Sequence, residues 1–499
     1  MAIADDRESV DHKGRPLHWS IVCLVAALLL GGFVRLWNVS GQSLFLDEAF
    51  VFDAASRPVH ALLAQIAYHD AHPPLFYLVT HWLLQWLHWP KASFRYVTAP
   101  FGLLTIAATW GIARRVFGDL AAAVAALTIA LEPAVIQLDR LYRTYGMLAG
   151  LGAASWWLIL AAGDAKGKMR AVYWVLYACA IVTVTSTHYL GWMLLATQLA
   201  YAVFAQTRRG VPAWPAMAAA AACAAAMAPW FWALPIQFHQ GGYAGAAGAS
   251  AGAWSLARGV LGYALPVEWY GNPVFDIAFS LFAAAALAGG LWFGRGSILP
   301  WYAAPLAVQA VAAAAFGKDL LLARYLLYLV PAFAIAFGGV TAALLQSRAW
   351  AGGAVAAVAM LACNGAAATN ETIDPVYQLP DWHQVAAWVS QYGARGDAIV
   401  LDQGYPYLIL RDEPIFAGRD ISAPTLASQI TSTIRWIDAR PTRRIWYVEN
   451  QSYYPDPSRL VLAHLEATRA LVREELEVRA DLSNRVVVAL FAPARGAAR

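Results

Sequence analysis

Apolar positions fall into eleven runs of roughly 20 residues in the first three quarters of the chain: 19–38, 96–113, 120–138, 144–162, 171–188, 190–206, 213–235, 274–294, 298–316, 325–345 and 350–368. About 20 apolar residues of helix cross the hydrocarbon core of a bilayer, so each run predicts a membrane span. One further run, 73–89, is shorter and carries His81, Gln85 and His88. After residue 370 the pattern changes. Trp382, Val385, Ala386 and Val389 have helical spacing and predict a helix over Asp381 to Tyr392. Ala398 to Leu401, Ile445 to Val448 and Arg485 to Phe491 read as strands, and Ser458 to Glu475 as a long amphipathic helix. The expected fold class is a polytopic α-helical membrane protein of about eleven transmembrane helices, residues 1–369, followed by a soluble α/β domain, residues 370–499.

Composition sharpens this division. The chain is 60% hydrophobic and 13% charged, against about 25% charged residues in a soluble domain. Residues 370–499 hold 16 acids and 14 arginines, 30 of the 66 charged residues. A net charge of +4 gives no reason to expect a nucleic-acid partner. Cys23, Cys179, Cys223 and Cys363 all lie in apolar stretches, which argues against a disulfide framework or a cysteine-ligated metal. The first apolar run lacks a small-residue cleavage signal and reads as a retained helix. Alanine-rich tracts fit close helix packing, and Gly241 to Gly252 reads as a loop.

Basic residues set the orientation. If 73–89 does not cross, then Arg7, Lys13, Arg15, Arg114, Arg115, Lys166, Lys168, Arg170, Arg208, Arg209, Arg295 and Arg348 share one side, as the positive-inside rule requires. The run 73–89 is therefore expected to lie in the outer interface. The N-terminus is then cytoplasmic, the protein is multi-pass in the cytoplasmic (inner) membrane, and the C-terminal domain faces the periplasm or exterior. Segments 39–95, 139–143, 236–273 and 317–324 face the same way. They carry Asp47, Glu48, Asp53, Asp70, Asp139, Arg140, Arg143, Lys318, Asp319 and Arg324. Charge beside a membrane is costly and marks candidate functional sites; the plainer reading of any one of them is a loop residue in water.

Five of these places can carry chemistry. Asp47-Glu48 can supply a base or hold a cation, or simply favour a helix start capped by Ser43. His69-Asp70-Ala71-His72-Pro73-Pro74 has the donors of a zinc site, but a helix opened by proline explains it better. Arg140 and Arg143 suit anionic oxygens, and Arg140, beside Asp139, can equally reach to water. Thr187-His188-Tyr189 and Lys318-Asp319 with Arg324-Tyr325 complete the set. Two acid clusters and several cations on one face suit a substrate bearing a phosphate and a reacting hydroxyl.

These motifs resemble those of GT-C fold glycosyltransferases that use polyprenyl-phosphate sugars, in the branch of protein O-mannosyltransferases and lipid A aminoarabinose transferases. The likeness rests on Asp47-Glu48 after the first helix, His72-Pro73-Pro74-Leu75, Arg95-Tyr96, Arg143-Thr144-Tyr145, Thr187-His188-Tyr189 and Arg324-Tyr325, and runs over roughly residues 19–345. It implies an integral membrane glycosyltransferase taking a hexose or pentose from a polyprenyl-phosphate donor. It implies catalytic roles for Asp47, Glu48 and Asp139, with Asp47 as base. Substrate binding falls to His72, Arg95, Arg143, Tyr145, His188, Lys318, Arg324 and Tyr325. No Asp-x-Asp motif is present, so a divalent metal cofactor stays open.

The chemistry agrees with that expectation. A lipid phosphate is a weakly basic leaving group, so its developing charge needs cations rather than an acid. The acceptor, whether glycan, lipid or protein, presents a hydroxyl that needs a base. The rival expectation is a transporter or flippase of lipid-linked sugar. No internal repeat supports it.

Overall fold

A computed structural model describes residues 18–240, 284–294, 296–316, 323–374, 379–411, 413–424, 427–450, 456–477 and 485–493. Its membrane part is an α-helical bundle. Helix α1 spans His18–Leu36, α2 Leu46–Ala55, α3 Val59–His69, α4 Leu75–Leu87, α5 Arg95–Phe117, α6 Asp119–Leu131, α7 Pro133–Asp139, α8 Thr144–Asp164 and α9 Gly167–Thr187. Further helices run over Leu190–Tyr201, Trp214–Met227, Leu299–Phe316, Val330–Leu345 and Trp350–Ile373.

Among the described residues, six helices are long and apolar enough to cross a membrane: Trp19–Leu36, Lys91–Phe117, Thr144–Asp164, Gly167–Thr187, Arg324–Leu345 and Trp350–Ile373. A broken seventh joins α6 and α7 with a 56° bend. Its cause is Pro133, which brings no N–H to the helix and forces the preceding Glu132 into an extended conformation. The run 120–138 is thus two helices. Of the expected span 274–294, residues 274–283 lie outside the described residues, and Ala284–Phe293 is a short apolar helix.

At 13 residues, α4 is too short to cross. It starts behind Pro73-Pro74, with Pro74 at its N-cap, as the proline signal predicts.

The C-terminal domain is built on a five-stranded sheet. Strand β1 spans Ala398–Leu401, β2 Ile421–Ser422, β3 Ile445–Glu449, β4 Arg469–Glu477 and β5 Val486–Pro493. Their order is β2-β1-β3-β5-β4. β1 is parallel to β2 and β3, and β5 runs antiparallel between β3 and β4. The long helix expected over Ser458 to Glu475 is corrected here: it covers only Leu460–Thr468, and Arg469–Glu477 is a strand. Pairing with β5 supplies ladder hydrogen bonds that the local pattern does not reveal.

The two parts share a core at α2. Leu46 and Ala49 pack with Trp382, Val385 and Leu410 of the sheet domain, while Phe50 and Phe52 pack with Tyr77, Phe94 and Tyr142 of the membrane part. Ser43 does not cap α2. Its hydroxyl donates to Asp381 and accepts from the Trp382 N–H, tying the chain before α2 to the sheet domain. Arg411 adds an ion pair to Asp53 at 2.8 Å. The Asp53 carboxyl stays below its usual range because hydrogen bonds from Gln65, Arg57 and Arg411 outweigh the opposing effect of burial.

Candidate active site

Nine of the ten residues of α2 are buried. The exception is Asp47, whose side chain keeps 34% exposure. Its Oδ2 lies 3.8 Å from Arg143 Nη2 and 3.7 Å from Arg324 Nη1. Both separations are longer than the 2.7–2.9 Å of a charge-assisted hydrogen bond. The carboxylate thus faces two guanidinium groups without closing on either.

Arg143 is held from behind. Its Nη1 donates to Tyr77 Oη at 3.1 Å and to the Asp47 carbonyl at 3.5 Å, and the guanidinium lies 5.9 Å from the Tyr145 ring. Tyr77 in turn donates to Asp70 Oδ2. Asp70 ends α3, and its Oδ1 accepts from Ala71 N–H at 2.7 Å and from His72 Nδ1 at 2.9 Å. Burial pushes the Asp70 carboxyl up, but His72, Arg143 and Tyr77 together hold it well below the usual carboxylate range. Arg143 is correspondingly held as a cation: burial opposes its charge, and Tyr77, Asp47 and Asp70 more than compensate.

Aromatic rings line the rest. The His72 and His188 rings meet edge-on at 5.0 Å, with Tyr145 6.1 and 5.8 Å away. Tyr325 lies 6.5 Å from Tyr145 and 6.3 Å from His188, and Arg324 lies 5.4 Å from its own neighbour Tyr325. Among the described residues, several buried polar atoms of this group have no partner: His72 Nε2, His188 Nε2, Arg143 Nε, Arg324 Nε and Thr144 Oγ1. Orphaned polar atoms cost free energy, so their accumulation here marks the site.

Of the residues expected from sequence, Asp47, His72, Arg143, Tyr145, His188, Arg324 and Tyr325 converge. Lys318 lies outside the described residues. Three others are engaged elsewhere. Glu48 is fully buried: Arg95 reaches both its oxygens, at 2.8 and 2.5 Å, and the Tyr142 and Phe45 N–H groups donate to it at 2.6 and 2.8 Å. Arg95 spends its other donors on the carbonyls of Val39, Gln42 and Ser43, so no N–H remains for a phosphate. Asp139 is fully buried against Arg35 at 2.7 Å. Its carboxylate fits only because Gly102 and Gly146 lack a Cβ, which would stand 2.2 and 2.6 Å from its oxygens.

Arg140 does not reach water either. It is buried and donates to the Val34 and Trp37 carbonyls at 2.7 and 2.9 Å. These contacts, with Thr98 on the Leu141 carbonyl and Glu48 on the Tyr142 N–H, fix the corner from which Arg143 projects.

Sequence reasoning missed Asp70 and Tyr77 as members of the site. Asp70 was visible only as the acid of the His-x-x-His arrangement. Tyr77 sits two residues past the His-Pro-Pro-Leu motif with no polar spacing to announce it. Among the described residues, no three His, Cys, Asp or Glu side chains come together as a metal site.

No family model matches the chain, and no curated protein matches it in sequence. Solved structures do match. Apo ArnT from Cupriavidus metallidurans aligns at 15% identity over 94% of this chain and 97% of its own, with a TM-score of 0.52. The same enzyme bound to undecaprenyl phosphate aligns over the same shares with a TM-score of 0.50. Archaeal oligosaccharyltransferase AglB from Archaeoglobus fulgidus, in complex with an inhibitory peptide and a dolichol-phosphate, aligns at 12% identity over 91% of this chain and 73% of its own, with a TM-score of 0.53. The chain has the GT-C fold of the membrane glycosyltransferases. At the level of the individual protein it is similar to ArnT across nearly the whole of both chains, including the C-terminal domain.

Proposed function

We propose that this protein is an integral membrane glycosyltransferase that moves a sugar from a polyprenyl-phosphate donor to an acceptor outside the cytoplasm. The observation that carries the reading is the Asp47 carboxylate, the one residue of α2 that is not buried, facing Arg143 and Arg324 at 3.8 and 3.7 Å. A base and a pair of cations stand together on the face opposite the basic cytoplasmic loops.

In this reading the donor phosphate lies against Arg143 and Arg324, whose planar forks match phosphate oxygens. Asp47 takes the proton of the acceptor hydroxyl. The acceptor oxygen forms a bond to the anomeric carbon as the bond from that carbon to the phosphate oxygen breaks. The electron pair leaves with the lipid phosphate, whose charge the two arginines stabilise. Tyr145, Tyr325, His72 and His188 line the space for the sugar. A single displacement inverts the anomeric centre. Glu48 and Arg95 act through α2: they fix the helix that presents Asp47. Asp139 and Arg35 fix the corner that presents Arg143. Lys318 is retained as a further candidate cation.

The test is incubation of the purified protein in lipid nanodiscs with a radiolabelled polyprenyl-phosphate sugar. Release of free lipid phosphate, with label passing to an added acceptor, is the expected result. Movement of intact donor between leaflets without cleavage would favour a flippase instead.

A further inference from the structure

The hydrogen bonds fix which ring nitrogen of each buried histidine carries a proton. The Leu190 backbone N–H can only donate, and it points at His188 Nδ1 at 3.2 Å. That nitrogen is therefore the acceptor, and the His188 proton sits on Nε2. His72 has the opposite arrangement. The Asp70 carboxylate accepts at 2.9 Å from His72 Nδ1, which places a proton there and leaves Nε2 bare in the neutral ring. Asp70 is itself pinned by the Ala71 N–H and the Tyr77 hydroxyl, so turning the His72 ring would give up its hydrogen bond to a fixed, buried carboxylate.

Both Nε2 atoms are buried and, among the described residues, without a partner. One is a donor and the other an acceptor, on rings 5.0 Å apart at 87°. We propose that His72 and His188 together read one hydroxyl of the sugar on the donor, His188 donating to the hydroxyl oxygen and His72 accepting its proton. This rests on the reading that the pocket takes a polyprenyl-phosphate sugar.

The complementarity excludes the phosphate as the occupant. A polyprenyl-phosphoryl sugar is a phosphodiester, and its free oxygens carry no proton. They satisfy the His188 donor but set lone pair against lone pair at His72 Nε2. A hydroxyl meets both through one atom. The two guanidinium groups beside Asp47 suit the phosphodiester, and the pair of imidazoles suits the sugar, so the pocket has one end for each half of the donor. A site built around a substrate hydroxyl discriminates strongly against a ligand that lacks it, because its buried polar groups are then unpaired.

The experiment compares binding of two kinds of lipid to the full-length protein in nanodiscs with no acceptor present. One is undecaprenyl phosphate. The other is a set of undecaprenyl-phosphoryl mannose, glucose and arabinose, from which the tightest binder is used. His188→Phe removes the donor while keeping a ring in place, and His188→Asn restores an N–H. For His188→Phe, binding of the sugar lipid weakens about 10-fold or more, binding of undecaprenyl phosphate stays within about twofold, and His188→Asn recovers part of the loss. His72→Phe, which has no acceptor nitrogen, gives the same selective pattern, and His72→Gln, which keeps a donor and an acceptor, recovers part of it. Thermal unfolding of each variant establishes that it is folded.

Equal weakening of both lipids would place the phosphate at the imidazoles and overturn the proposal. So would unchanged binding of both. If lipid binding were unchanged and, in a separate turnover assay with acceptor added, only the KM for acceptor rose, the hydroxyl would be the acceptor's and the assignment to the sugar would fail. A wild-type protein that bound none of these lipids would overturn the proposed function together with this inference, whereas the other failures leave that function standing.

Discussion

Arg95 closes on Glu48 with two contacts, 2.8 and 2.5 Å, both side chains fully buried, while Asp47 beside it on the same helix stays partly exposed. Adjacent carboxylates in the sequence thus have opposite environments. Glu48 reaches back to the Phe45 N–H at the start of α2 and across to the Tyr142 N–H. It joins the helix that carries the proposed base to the corner that carries Arg143.

Asp47→Asn keeps the side chain's size and removes its charge. Turnover should fall by about 10²–10⁴, the usual share of a general base. Donor binding should be largely kept. Near-normal rates in the folded variant would remove Asp47 from the base role.

Glu48→Gln and Arg95→Ala should act on stability first. Removing one partner of a buried ion pair strands the other and costs about 3–5 kcal/mol. Both variants should therefore unfold at markedly lower temperature by scanning calorimetry or intrinsic fluorescence. Wild-type thermal stability with lost turnover would instead give Glu48 a direct catalytic part.

Arg143→Lys and Arg324→Lys preserve charge but lose the planar fork. Each should weaken binding of undecaprenyl phosphate, measured in nanodiscs, while thermal stability changes little for Arg324→Lys, whose side chain is 36% exposed. Retained affinity in both variants would move the phosphate elsewhere in the pocket.

Asp139→Asn should disturb the fold more than the chemistry. It leaves the buried Arg35 guanidinium without its carboxylate. The expected outcome is a lower unfolding temperature, with KM for donor close to wild type in the fraction that folds. A folded, stable variant without turnover would return Asp139 to the catalytic set.

Acid should destabilise the site in two stages. His188 is held well below its usual range, by burial first and then by the nearby Arg143 cation. The unfolded ring takes a proton near pH 6.5 and the folded ring does not, so stability falls as the pH drops through that value. The Asp70 carboxyl is also held low. Its contribution is fully present above the unfolded value of about 4 and is lost as the pH falls further. Unfolding temperatures from pH 8 to pH 3 should show His188→Phe flattening the upper part and Asp70→Asn the lower. Unchanged profiles would mean that neither group differs between folded and unfolded chains.

The sequence by itself determined the membrane class and the crowding of charge into a few short segments. Those features follow from composition and from periodicity over some twenty residues, which local reading captures. It also singled out Asp47, His72, Arg143, His188 and Arg324, because charge and imidazole are rare enough in apolar surroundings to stand out. Only the tertiary structure decided which ionisable groups are already paired. Arg35 with Asp139 and Arg95 with Glu48 join residues 104 and 47 positions apart, and such distances leave no local trace. The same holds for the strand at Arg469–Glu477, where pairing with β5 overrode a helical pattern, and for Tyr77, which enters the site because α4 lays it beside Asp70 and Arg143. Residue types announce what a side chain can do; the burial of its partners decides whether it remains free to do it.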